Sequence, residues 1–135
     1  MKNQEINANN INAALPEELL SFLHNRYDSV TIPEEAMSFE ELSRIEQMMG
    51  WIANEHTYLN YMFNLVDLES RSSKLLNNKA KHDMDVCKKS IIKSYKDNLE
   101  GLNKLLSRKI TLYQMAKEDE RMENRVLSAQ KCEAQ

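Results

Sequence analysis

The chain has 135 residues, of which 41% are hydrophobic and 29% are charged, with only two glycines and two prolines. This length fits one domain, and so few turn-forming residues favour a few long elements. No run approaches the roughly 18 apolar residues of a membrane span, and the first residues lack the apolar core of a signal peptide. Two scattered cysteines, Cys87 and Cys132, exclude a disulfide framework, so we expect a cytoplasmic protein that does not enter a membrane.

The two halves of the chain carry opposite charge. Residues 1–70 hold 3 Lys or Arg and 12 Asp or Glu, whereas residues 71–135 hold 15 and 9, which together make the net charge of −3. Such a split predicts that the halves pack against each other, that the basic end meets an anionic partner, or both.

The first residues predict a flexible tail followed by a single helical domain over residues 16–135. Residues 1–15 are polar and rich in asparagine. Leu15-Pro16-Glu17-Glu18 then reads as a helix start, with proline at the first helical position and acids in the first turn. We predict a short helix over 16–28 and a connector over 29–37 that contains Pro33.

A second, long helix is predicted over residues 38–76. Ser38 and Glu41 form a capping box at its start. Apolar residues then follow alternate steps of three and four, the heptad pattern of a helix seam: Leu42, Ile45, Met49, Ile52, His56, Leu59, Phe63 and Val66. A second stripe runs beside this seam, through Met48, Trp51, Tyr58, Met62 and Leu65. Two stripes exceed what the rest of the chain can cover, so we assign the seam to an interface between copies and predict a homo-oligomer.

A polar break between residues 70 and 83 predicts a hairpin turn around Asn77 to His82. A third helix is expected over residues 84–130, with a charged and poorly buried end beyond Ala116. The predicted fold is therefore all-α: a long antiparallel helical hairpin with a short N-terminal helix, coiled-coil-like packing and an oligomeric state.

The sequence lacks the residue patterns of common catalytic and metal sites. His24, His56 and His82 lie in different elements, and none follows a glutamate at the spacing of di-iron bundles. There is no Cys-x-x-Cys pair and no glycine-rich loop. We therefore predict that the chain is not an enzyme and needs no cofactor, metal or small-molecule substrate.

Basic residues concentrate around the predicted turn and along the third helix. They predict a surface that neutralises phosphates without reading sequence, because no helix-turn-helix or zinc-finger pattern accompanies them. The candidate nucleic-acid-binding residues are Arg71, Lys74, Lys79, Lys81, Lys88, Lys89, Lys93, Lys96, Lys104 and Arg108.

Two stretches resemble the UvsY-type recombination mediators of tailed phages. One is Trp51-Ile52-Ala53-Asn54-Glu55-His56 with the apolar residues after it. The other is Leu105-Leu106-Ser107-Arg108. Together they cover less than half of the chain. The resemblance implies an oligomeric protein that binds single-stranded DNA and loads a RecA-like recombinase in a bacterial or phage-infected cell.

A protein–protein interaction module is the alternative prediction. The chain could serve as a coiled-coil adaptor or a virion component. It could also inhibit a host nuclease by presenting Glu34, Glu35, Glu40, Glu41 and Glu46 as a mimic of nucleic acid. A mimic would act through these acids, whereas a nucleic-acid binder would act through the lysines near the turn.

Overall fold

In a computed structural model of the chain, residues 5–30 and 39–133 are described. Residues 31–37 of the predicted connector and Ser38 of the predicted capping box lie outside them. The described residues form three helices: α1 (Pro16–Tyr27), α2 (Phe39–Leu75) and α3 (Lys79–Glu133). They contain no strand. The prediction of an all-α chain is confirmed.

Side chains that meet across α2 and α3 show an antiparallel hairpin. His56 contacts Glu100 (Nε2 to Oε1, 2.9 Å), and Lys96 donates to Asn60 at 2.8 Å. Farther towards the turn, Lys89 donates to Asp67 at 2.9 Å. Each step back along α2 thus matches an equal step forward along α3.

The predicted heptad seam is buried inside this hairpin. Its members Ile45, Ile52, Leu59 and Val66 share one core with Ile92, Leu99 and Leu106 of α3, and each is at most 1% exposed. The assignment of these residues to an interface between copies is therefore wrong, because α3 of the same chain already covers them. The other seam residues, Leu42, Met49, His56 and Phe63, are half-buried at the edges of the same contact.

A Schellman motif followed at once by an N-cap makes the turn shorter than predicted. Asn77 adopts a positive φ of 56°. Its amide donates to the Lys74 carbonyl, and the Asn78 amide donates to the Ser73 carbonyl. This is the Schellman pattern that ends a helix. Asn78 then caps α3 by accepting a hydrogen bond from the Lys81 amide. Consequently α3 begins at Lys79, five residues before the predicted start at residue 84.

Residues 5–14 pack against the hairpin, so the prediction of a flexible tail over 1–15 is wrong for them. Ile6, Ile11 and Ala14 are buried in the main core, and Ile11 has no exposed surface. The Ala8 amide donates to the Tyr58 hydroxyl at 3.2 Å. Ile6 and Ile11 thus anchor this asparagine-rich segment in the core.

The short helix α1 packs on α3, and its side chains and those of the segment before it reach the second stripe of α2. Leu19, Leu23 and Tyr27 of α1 are buried, and the Tyr27 ring lies 6.1 Å from the Trp51 ring. Met62 of the second stripe has no exposed surface, and Tyr58 is half-buried. The chain itself thus covers much of the second stripe, while Trp51 stays exposed at its edge.

The third helix is much longer than its partner. It has 55 residues against 37 in α2. By the register of the hairpin, Phe39 at the start of α2 lies level with about Lys117. Residues 118–133, here called the overhang, therefore continue beyond α2 as one helix, about 24 Å long at 1.5 Å per residue.

Candidate interaction surface

Lys88 cannot serve the predicted contact with phosphates, because its side chain is only 1% exposed. Its ammonium donates to the carbonyls of Ile11 (3.0 Å), Asn12 (3.3 Å) and Ala14 (3.0 Å). Burial lowers the pKa of Lys88, and the nearby Asp85 carboxylate opposes that shift. Lys88 therefore holds the N-terminal segment against α3.

A polar layer surrounds Lys88 where the hairpin core approaches the turn. Asp85 is 1% exposed and accepts a hydrogen bond from the Ser73 hydroxyl at 3.0 Å. The Asp85 carboxylate lies 3.8 Å from the Lys88 ammonium. His82 Nδ1 lies 2.9 Å from the Ser70 carbonyl. Because these groups satisfy one another, the layer reads as a structural network that fixes the register of the two helices.

Most of the other predicted basic residues near the turn have acidic or polar partners in the chain. Lys81 contacts both Glu69 (2.9 Å) and Asp85 (3.3 Å). Asp67 contacts Lys89 and Arg71 at 2.9 Å each, and the hydrogen bond from Lys89 holds the pKa of Asp67 below its usual range. The Lys96 ammonium lies 5.1 Å from the centre of the Phe63 ring. These basic side chains are thus engaged within the chain, and three carboxylates reduce the excess of positive charge at the turn.

Fewer basic residues remain available for an anionic partner. Lys74 and Lys79 are exposed at the turn, and Lys93 is exposed with a loose contact to Asp97 at 3.7 Å. Lys104 and Arg108 are exposed farther along α3, with no recorded ion pair in the described residues. Lys79, Lys93, Lys104 and Arg108 follow helical spacing on the side of α3 away from α2.

A cluster that the sequence did not reveal joins α1 to α2. Arg26 donates to Glu55 through two nitrogens, at 2.9 and 2.6 Å, and the Tyr27 hydroxyl donates to the same carboxylate at 2.7 Å. Burial opposes ionisation of Glu55, but the hydrogen bonds from Arg26 and Tyr27 outweigh it and keep the pKa lowered. Glu55 occupies an apolar stripe of α2, which was the available signal that it needs a partner.

The most conspicuous exposed feature is apolar and lies on α3. Leu112, Met115, Met122 and Val126, here called the outer stripe, are each more than half exposed. They lie on the side of the helix opposite the buried Leu99 and Leu106. No described part of the chain covers them. Exposed apolar residues at heptad spacing on one helix are typical of a surface that receives another helix.

The structure describes three of the five acidic residues that were proposed as a mimic of nucleic acid. Glu40 and Glu46 are exposed on α2 and Glu41 is half-buried, whereas Glu34 and Glu35 lie outside the described residues. Three carboxylates on one helix start do not by themselves outline the regular charge of a nucleic-acid strand.

Residues 5–30 and 39–133 contain no cluster of three or more His, Cys, Asp or Glu that could hold a metal ion. None of their helices combines the length and the apolar character needed to cross a bilayer. Comparison of the chain with protein-family models, curated proteins and solved structures gives no match. The function must therefore be argued from the surface of the chain itself.

Proposed function

We propose that this chain is a protein-interaction module in which the hairpin supports α3 and the outer stripe, which extends into the overhang, binds a partner helix. The outer stripe is the observation that carries this proposal. An isolated helix of about 16 residues is marginally stable in water, and it gains stability when an apolar face packs on another helix. A heptad stripe on an overhanging helix is suited to such packing.

The test removes the stripe without disturbing the hairpin. Changing Met122 and Val126 together to Asp would place two charges in any helix–helix contact, which is unfavourable. We expect wild-type protein to capture a partner from source-cell lysate, to bind that partner after both are purified, and to lose binding at least tenfold in the double variant. Glu120→Arg, one helical position beside the stripe, is the matched control. Equal binding by wild type and the double variant would contradict the proposal.

Binding of single-stranded nucleic acid is a second candidate. It is favoured by Lys79, Lys93, Lys104 and Arg108, which share one side of α3. These four side chains span about 44 Å of helix at 1.5 Å per residue. They form a sparse row, so we place this function second. If the chain binds single-stranded nucleic acid, the family resemblance implies a RecA-like recombinase as its protein partner.

A titration with labelled single-stranded DNA at about 50 mM salt tests this candidate. We expect the triple change K93A, K104A and R108A to weaken binding at least tenfold and to lower the salt slope by about two to three units. The matched control is K89A with K96A, because both lysines already have partners within the chain. Absence of binding by wild-type protein would rule this function out.

A further inference from the structure

The outer stripe, which extends from the end of the hairpin into the overhang, is a heptad seam with one charged member. Leu112, Met115, Met122 and Val126 are separated by three, seven and four residues, so Asp119 falls inside the same stripe. A polar residue at one seam position lowers the stability of a coiled coil but selects its register and orientation. The position of Asp119 therefore restricts how a second helix can pack here.

Charged residues flank this seam unevenly. Glu118 and Arg125, seven residues apart, lie on one side of the seam, and Glu123 lies on the other. Glu118 makes only a 3.5 Å contact with Arg121 in its own chain. No ion pair of Arg125 is recorded in the part of the chain that the structure describes. The flank thus offers one acid and one base for contacts with a partner.

A parallel second copy would not fit these charges. Parallel helices place each flank residue against the opposite flank of the partner, five positions on. Glu118 would then face Glu123 of the second copy, and the two Asp119 side chains would meet in the seam. Both contacts bring like charges together, which is unfavourable.

An antiparallel second copy gives Glu118 and Arg125 partners of opposite charge. Each Glu118 then lies beside Arg125 of the other copy, so the contact forms twice. Met115 packs against Val126 of the second copy, and Asp119 meets Met122 rather than another aspartate. Such a contact is isologous and closes on itself, as in most homodimers. Because the stripe lies on the side of α3 away from α2, the second helix can pass the hairpin without meeting it.

We propose that the partner of the outer stripe is a second copy of this chain, joined through antiparallel pairing of the two outer stripes with reciprocal Glu118–Arg125 contacts. This inference rests on the proposed interaction function and specifies its partner. The pairing covers only about five turns of helix on each chain, with Asp119 in its middle. We therefore expect a reversible dimer with a dissociation constant on the order of 10 µM.

A charge-swap experiment on the full chain tests the pairing by analytical ultracentrifugation. E118R alone and R125E alone should each weaken the dimer at least tenfold, because each places like charges at both reciprocal contacts. A mixture of the two single variants should form a heterodimer at least as well as wild type. Glu120→Arg, with the same charge change outside the seam, should leave the dimer unchanged, and circular dichroism should show equal helicity in all variants.

Cysteine cross-linking tests the orientation independently. In a chain whose own cysteines are replaced (C87S and C132S), antiparallel pairing predicts a disulfide between a chain carrying M115C and another carrying V126C. It predicts little cross-linking between two M115C chains. Preferential linkage of M115C to M115C would overturn the antiparallel arrangement, as would failure of the mixed charge variants to restore the dimer.

These results separate the inference from the proposed function. A monomer at about 100 µM, roughly ten times the expected dissociation constant, would overturn pairing with a second copy. The proposed interaction function would still stand if wild-type protein bound a different partner from the lysate and the M122D and V126D double variant did not. A dimer that responds to both charge swaps supports the inference even if the lysate yields no other partner.

Discussion

At the scale of single residues, buried charges do more to organise this chain than its exposed ones. Lys88 and Asp85 lie on the α3 seam, since Asp85, Lys88, Ile92, Tyr95 and Leu99 follow steps of three and four. That spacing could have predicted burial of the lysine. Its three carbonyl acceptors could not be predicted, because they come from residues more than 70 positions earlier.

Replacing Lys88 should release the N-terminal segment. K88M removes the donor to three carbonyls and leaves Asp85 without its buried neighbour, so we expect a loss of about 3 kcal/mol in the free energy of unfolding. Amides of residues 6–14 should exchange faster with solvent. Adding D85N should recover part of the loss, because both members of the pair are then neutral. Urea unfolding measures both effects. As a control, K89M removes a more exposed ion pair and should lower the free energy of unfolding by less than about 1 kcal/mol.

Glu55 should make stability depend on pH in the acid range. Its pKa is lowered in the folded chain from a reference value of 4.5. Its contribution is therefore complete above about pH 4.5 and is lost as the pH falls through the lower folded pKa. E55Q should cost about 1–3 kcal/mol at neutral pH. As the pH falls below 4.5, the free energy of unfolding should decrease less in E55Q than in wild type. Unfolding curves at several pH values measure this difference. Parallel pH curves for the two proteins would contradict this role.

At the scale of elements, the period of the apolar residues predicted the helices better than it predicted their partners. The long heptad seam correctly indicated α2, and its burial against α3 is the ordinary outcome of a hairpin. The pattern could not say whether the covering helix belonged to the same chain. Residues 5–14 were misjudged because Ile6 and Ile11 are too few and too far apart to stand out from their polar neighbours.

The candidate site was less predictable than the fold. Net charge around the turn suggested a basic surface, but Asp67, Glu69 and Asp85 pair with some of the basic side chains and reduce that charge. Counting charges along the sequence cannot show which of them face one another across a hairpin. Met122 and Val126 stand out among the charged residues near the end of the sequence. Their exposure follows only from the structure, which places them on the side of α3 away from α2.

The hairpin turn should be sensitive at Asn77. This residue holds a positive φ of 56°, a conformation that glycine adopts freely and that other residues adopt at a cost. We expect N77A to lower the free energy of unfolding by about 1 kcal/mol and N77G to leave it nearly unchanged. Thermal or urea unfolding compares the two. Equal losses would mean that a side-chain contact of Asn77 matters more than its backbone.

At the scale of the whole molecule, the chain divides into a closed hairpin and an open helix end. The acidic first half and basic second half meet inside the hairpin, as at Asp67 with Lys89. Among the side chains of α3 that the structure describes, every buried one lies at or before Leu106. Beyond it the helix carries apolar residues that the described chain leaves uncovered. The division separates what stabilises the fold from what can bind a partner.

Removing residues 118–135 should therefore separate assembly from folding. No described side chain in this region is buried, so we expect the free energy of unfolding of the dilute monomer to change by less than about 1 kcal/mol. The urea m-value should stay nearly constant, because residues 118–135 bury little surface in the folded monomer and so add little to the surface that unfolding exposes. The helical signal in circular dichroism should fall by about the share of helix removed. Sedimentation should show a monomer at every concentration, including those at which the full chain forms dimers. A loss above about 2 kcal/mol in dilute solution would instead show that the overhang packs against its own hairpin.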